Sequence, residues 1–152
     1  MGEVQFRVVQ AGPHVSVQDA GRFGMLRYGV PASGPMDRLA HQAANLALGR
    51  PAAAAAIEVS LGGLVLECVA GEAMLAVAGG GFVVTVDDRR YGSWSVFPVR
   101  SGSRVTIKPG PWGSWAYLAF SAMLETEMWL GSAATHALSG LGGGKVTAGD
   151  ML

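Results

Sequence analysis

Between Val17 and Asp37 the chain crowds amide, carboxylate and guanidinium groups into a glycine-punctuated stretch: Gln18, Asp19 and Arg22 first, then Asp37 after Gly29, Pro31 and Gly34. These residue types offer donors and acceptors for an amide or carboxylate substrate. Arg22 can grip a carboxylate through two parallel hydrogen bonds, and Asp19 or Asp37 can manage a proton. Asn45 and Glu58 are further polar candidates, as substrate contacts in a cleft or as caps for backbone groups. A purely structural reading stands beside this one. In it, Asp19 and Arg22 form an ion pair that ties the loop down, and Asp37 favours a helix N-terminus. Residue types alone leave both readings open.

Other chemistries are poorly signalled. His14, His41 and His136 are scattered, with no cysteine or carboxylate at ligand spacing, so no metal site is read. The run from Gly140 to Lys145 looks like a phosphate loop only superficially. Ser139 takes the place of its first glycine, and Val146 that of the Ser or Thr that would hold magnesium. No G-x-S-x-G nucleophile elbow exists either.

The elements that must position these residues are mostly strands. Val4, Phe6 and Val8 alternate with Gln5 and Arg7, and a second extended piece follows at Val15 to Val17 after a turn at Gly12-Pro13. An irregular loop runs from Asp19 to Pro31, the kind of segment where function concentrates. One helix is predicted from Pro35 to Leu48, with Met36, Leu39, Ala40, Ala43 and Ala47 on its apolar face. Ser33 or Gly34 caps it, Pro35 opens it, and Gly49 with Pro51 stops it. Asp37, His41 and Asn45, four apart, share a neighbouring polar stripe. The alanine run 52–56 reads as a packed loop entering a strand at Ile57. Strands are then predicted at 64–69, 73–78, 82–86, 94–99, 104–108 and 115–120, with turns at Asp87-Asp88, Ser101-Gly102 and Pro109-Gly110. Such spacing predicts a mainly β fold, a barrel or sandwich, with one principal helix near residues 35–48.

Composition sets the outer bounds. With 152 residues, 50% of them hydrophobic and 14% charged, the chain can bury a real core, and a single domain over 1–152 is expected. A formal net charge of zero gives no basic field for nucleic acid or an acidic membrane surface. Cys68, alone in an apolar run, reads as a buried structural thiol. The N-terminus carries Glu3 and no basic-then-apolar leader. The apolar stretch from Ala73 to Val86 is broken by Gly79, Gly80 and Gly81 and falls short of the roughly 20 residues of a membrane helix. A cytoplasmic location is expected.

The same polar residues carry a family resemblance. Gln18-Asp19-x-Gly21-Arg22-x-Gly24, Gly29-Val30-Pro31-x-Ser33-Gly34-x-Met36-Asp37, Ala44-Asn45 and Glu58 form its first part. Tyr117-Leu118, Leu130-Gly131-Ser132-Ala133-Ala134-Thr135, Gly142-Gly143 and Gly149-Asp150-x-Leu152 continue it over nearly the whole chain. The pattern resembles the carboxyltransferase/allophanate hydrolase subunit 2 family, which includes the KipA-like C-type subunit of bacterial 5-oxoprolinase. That resemblance implies a cyclophilin-like β-barrel and a KipI-like B-type subunit as partner. It also implies work with a third subunit in the ATP-dependent opening of 5-oxo-L-proline, or with biotin in a urea carboxylase relative.

Two departures stand out: Ser121-Ala122-Met123-Leu124 where a Gly-Gly pair is usual, and Lys145 where an arginine is common. The resemblance covers the family's first half, and the final Gly149-Asp150-Met151-Leu152 reads as a turn entering a strand. Such a half is expected to be silent alone, to expose an apolar patch, and to self-associate or capture a partner. The alternative is a non-catalytic module that binds and regulates a KipI-like protein.

Overall fold

The computed structural model describes residues 3–152. In chain order its elements are β1 (Gln5–Ala11), β2 (Ser16–Gln18), α1 (Arg38–Ala47), β3 (Ala56–Val59), β4 (Leu64–Ala70), β5 (Glu72–Ala78), β6 (Val83–Val86), β7 (Arg89–Gly92), β8 (Ser95–Arg100), β9 (Arg104–Lys108) and β10 (Ala116–Phe120), with a single 3₁₀ turn at Leu26–Tyr28. The fold is mainly β with one α-helix. The strands form two five-stranded antiparallel sheets, one in the order β1-β4-β9-β6-β7 and the other β2-β3-β10-β5-β8.

Alternation fixes which face of each strand is buried. Phe6 and Val8 of β1 and Val105 and Ile107 of β9 point into the core between the sheets, while Arg7 and Arg104 face water. β10 is buried at every position because both of its faces are covered. Ala116, Leu118 and Phe120 join the central core, and Tyr117 and Ala119 meet the helix on the other side. Each large apolar side chain sealed this way contributes roughly 1.5–3 kcal/mol relative to leaving it exposed.

The helix differs from its sequence reading in bounds and in face. Asp37, with extended backbone, is the N-cap and accepts from the Ala40 N–H at 3.0 Å, so Pro35 and Met36 precede the helix. The buried face carries Ala40, His41, Ala44 and Asn45, whereas Met36 and Leu39 are exposed. The partner surface explains this. Ala56, Ala76, Ala78 and Ala119 make a shallow alanine seat on the second sheet, and only small helix residues let the backbones approach that closely. His41 and Asn45, assigned to a polar stripe by spacing, lie in that contact.

β7 lies outside the predicted strands, because Arg89-Arg90 masks its pattern. The Asp87-Asp88 turn returns the chain against β6, and Tyr91 packs on Phe97 with ring centroids 5.0 Å apart. The outer edges of β1 and β2 are tied by the last residues: Met151 bridges Arg7 and Lys145 bridges Ser16. Cys68 is fully buried.

Candidate functional site

Strand register builds the floor of the site. Glu58 of β3 lies opposite Tyr117 of β10 on one side and Ser16 of β2 on the other, and the pleat turns Glu58 and Tyr117 toward the helix face of the sheet. Both are buried. The Tyr117 hydroxyl donates to Glu58 Oε2 at 2.8 Å, and the Met36 N–H donates to the same oxygen at 2.8 Å. The Asp37 N–H donates in turn to the Tyr117 hydroxyl at 2.7 Å. Three backbone segments distant in sequence therefore meet on one carboxylate.

Burial raises the Glu58 carboxyl above the usual glutamate value, with the Met36 N–H and the Tyr117 hydroxyl opposing. Burial also drives the Tyr117 hydroxyl well above the ordinary tyrosine value. Tyr117 thus stays protonated and donates, and Glu58 is a carboxyl that can hold or release a proton nearer to neutrality than an exposed one.

The helix supplies the neighbouring wall. His41 Nε2 sits 3.2 Å from the Gln18 carbonyl, and its ring meets Tyr117 edge-on with centroids 5.7 Å apart. Asn45 Nδ2 donates to the Ala54 carbonyl at 2.9 Å and fastens the helix to the loop before β3. Burial holds His41 below the usual histidine value, against the pull of the Gln18 carbonyl, so the neutral ring donates through Nε2.

A folded-state value below the unfolded one means that His41's contribution to stability is complete above about pH 6.5 and lost as pH falls. Urea unfolding from about pH 7.5 to 5.5 is expected to show stability falling by up to about 1.4 kcal/mol per pH unit, a slope that His41→Gln removes. An unchanged slope in the variant would place the titrating group elsewhere.

Asp19 and Arg22 belong to an adjoining cluster. The Asp19 carboxylate accepts from the Ser132 hydroxyl at 2.5 Å and from the N–H groups of Ala133 at 2.7 Å, Gly21 at 2.9 Å and Ala134 at 3.2 Å. Arg22, 2% exposed, donates through Nε to the Trp129 carbonyl at 3.0 Å. Its Nη2 donates to the carbonyls of Ala134 at 2.6 Å and Ser132 at 3.3 Å, and the guanidinium lies 4.6 Å from the Trp129 ring centroid. Nη1 is buried without a partner among the described residues. The two residues clasp segment 129–135 without pairing to each other; among the described residues the ion pair is Arg7 with Glu67 at 2.7 Å.

Glycines close the neck of the loop that joins the clusters. Gly21 and Gly34 have φ of 104° and 96°, and a Cβ on either would stand 3.1 Å from a carbonyl oxygen of the opposite strand of the neck. There the Arg22 N–H donates to the Ala32 carbonyl at 2.7 Å, and the Gly34 N–H to Gln18 Oε1 at 3.2 Å.

The structure thus gathers the Glu58 side chain and the backbone groups of Gln18 and Asp37 into one network with His41 and Tyr117, while the Gln18 amide bonds Ser16 and Gly34 and the Asp37 carboxylate caps the helix. It sets Asp19 and Arg22 beside that network as a clasp and spends Asn45 on a backbone carbonyl. Residue chemistry alone does not single out His41, Tyr117 or Ser132. Their types occur widely, and only the register and the 129–135 crossing give them partners. Among the described residues no three His, Cys, Asp or Glu side chains converge to hold a metal, and no helix is long and apolar enough to cross a membrane.

Comparison with known proteins agrees with this architecture. Residues 28–152 match the family described as carboxyltransferase domain, subdomain A and B. The chain is 32% identical over 137 residues to the C-type subunit of 5-oxoprolinase from Escherichia coli K12, covering 90% of this chain and 44% of that protein. It is 37% identical over 147 residues to urea amidolyase of Saccharomyces cerevisiae, covering 93% of this chain and 8% of that one. The crystal structure of Kluyveromyces lactis urea carboxylase superposes with a TM-score of 0.91 at 31% identity, over 99% of this chain and 14% of that one. The chain therefore spans less than half the length of the bacterial relative and a small part of the fungal ones.

Proposed function

This chain belongs to the carboxyltransferase domain family, subdomain A and B, and from that premise we propose that it forms one wall of an amide-processing site in a cytoplasmic multi-protein complex. The complex is an ATP-dependent 5-oxoprolinase or a related urea carboxylase or allophanate hydrolase. The chain corresponds to the first, cyclophilin-like half of a C-type 5-oxoprolinase subunit, acting beside a KipI-like B-type subunit and a third subunit. The observation that carries the reading is the buried Glu58, held by the Tyr117 hydroxyl and the Met36 amide beneath the 19–37 loop.

Opening a cyclic amide, or carboxylating a ureido nitrogen, requires a proton to move at a poorly basic nitrogen and charge to be stabilised on an oxygen. In this proposal Glu58, its carboxyl raised by burial, moves the proton. Asp37 and Gln18 orient the polar end of the substrate, while Asp19, Arg22 and Asn45 keep the wall in shape. No step is assigned to ATP or biotin on this chain. The glycine-rich 140–145 segment does not fit a phosphate: a Cβ on Gly142 would run into the Ala134 carbonyl and one on Gly143 into Val17, so these glycines serve close packing.

A second reading, a module that regulates its partner without catalysis, is favoured by the large exposed apolar side chains around the loop. The test is co-expression with the neighbouring subunits, followed by assay of ATP-dependent glutamate release from 5-oxoproline and, in parallel, of biotin-dependent urea carboxylation. Either activity supports the enzyme reading. A stable complex with neither activity sinks it and leaves the module.

A further inference from the structure

The loop that roofs the site turns its outer surface to water, and that surface is apolar. Leu26 and Leu39 are each 77% exposed, Met36 68%, Tyr28 67% and Phe23 61%. Singly exposed apolar residues are ordinary; a cluster of large ones within residues 23–39 points to an interaction surface. Loop and helix meet there, since the Arg38 guanidinium lies over the Phe23 ring at 5.7 Å. Arg27 covers Tyr28 in the same way at 4.8 Å. Both arginines are exposed, whereas Asp37, the acid in this stretch, spends an oxygen on the Ala40 N–H. The face is therefore apolar with a positive margin.

We propose that the surface from Phe23 to Leu39 is the docking face for a protein partner that presents acidic groups around an apolar centre, and that this partner covers the site beneath. The inference rests on the reading of the chain as one part of a complex, and it names the surface and the partner's chemistry. Charge decides between occupants. A second copy related by a two-fold axis would set the arginine-bearing face against itself, and like charges across an interface are penalised. An anionic membrane requires more than two exposed arginines for stable attachment.

Docking also bears on the chemistry. Met36 exposes its side chain in the patch while its N–H holds Glu58. A partner seated there would exclude water above the carboxyl and strengthen every interaction around it.

The experiment titrates the chain with a purified KipI-like B-type subunit, by calorimetry at low and high salt. The wild type is expected to bind, with affinity falling as salt rises. R27E/R38E is expected to weaken binding by about tenfold or more and to flatten the salt dependence. L26S/L39S is expected to weaken it by about tenfold or more at any salt. Arg90→Glu, on β7 of the other sheet, should leave binding unchanged. These side chains are exposed, so thermal unfolding should be unaltered in all three variants. Wild-type affinity in both double variants overturns the surface assignment while leaving the complex intact. Wild-type dimers, or binding to phosphatidylserine vesicles, abolished by the same substitutions would reassign the face and overturn the proposal. Failure of the wild type to bind at all sinks the reading as one part of a complex and the inference with it.

Discussion

Arg22→Ala is expected to destabilise the fold by about 3 kcal/mol or more, because the side chain is the buried latch between the 19–37 loop and segment 129–135. Truncation strands three carbonyls, those of Trp129, Ser132 and Ala134, inside the protein and removes the stacking on Trp129. Leaving buried acceptors unpaired costs more than the hydrogen bonds contributed net. At this chain length the loss corresponds to a fall in Tm of roughly 6–12 °C. Arg22→Lys should recover only part of it, since an ammonium keeps the charge but cannot reproduce the planar fork that reaches all three carbonyls. Thermal and urea unfolding of both variants measure this. A Tm within a degree or so of wild type for Arg22→Ala would show that the latch is dispensable. The stranded partners place the expected effect on stability first, and on activity only through the loop.

Glu58→Gln is expected to separate activity from folding in the opposite way. Glutamine fills the same space, and its carbonyl oxygen can accept from both Tyr117 and Met36, but it carries no exchangeable proton of suitable acidity. In the assembled complex kcat should fall by about a hundredfold or more, with KM little changed, the range expected for loss of a general acid or base. Stability should move the other way. The raised folded-state value means that Glu58 stabilises the fold most when protonated, below the unfolded value near about pH 4.3, and that this contribution is lost as pH rises through the folded value. At neutral pH Glu58→Gln should therefore unfold no more easily than wild type. Steady-state kinetics beside urea unfolding tests both halves. Unchanged kcat in an active complex would remove Glu58 from the chemistry, and loss of activity together with stability would make it a structural residue.

The reading of Asp19 and Arg22 shows how far residue types carry. A carboxylate and a guanidinium in one loop invite assignment to substrate or to each other; among the described residues they do not pair with each other. Apart from the nearby Gly21 N–H, their partners lie more than a hundred residues away, at Trp129 to Ala134, and all but the Ser132 hydroxyl are backbone groups. Backbone N–H and carbonyl groups occur at nearly every position, so no local pattern announces which will serve. His41 departs from its sequence reading for a related reason. Helical spacing assigns a polar side chain to the solvent face by default, and only the approach of the Gln18 carbonyl makes a buried position favourable for it.

What the sequence determined by itself is most of the elements, β7 and the helix bounds excepted, and the stretch in which the polar residues gather. Period-two alternation has a local cause, the pleat, and so the strands, the turns and the mainly β class are written in short stretches of residues. The glycine-punctuated loop and its polar residues are likewise visible in linear order. Tertiary structure decided what those residues do. The pairing of β3 with β10 set Glu58 opposite Tyr117, the alanine seat selected the face that α1 buries, and the crossing of segment 129–135 took Asp19 and Arg22 for the framework. Each of these depends on contacts between segments far apart in the chain, where shape and satisfied hydrogen bonds, rather than local periodicity, choose the arrangement.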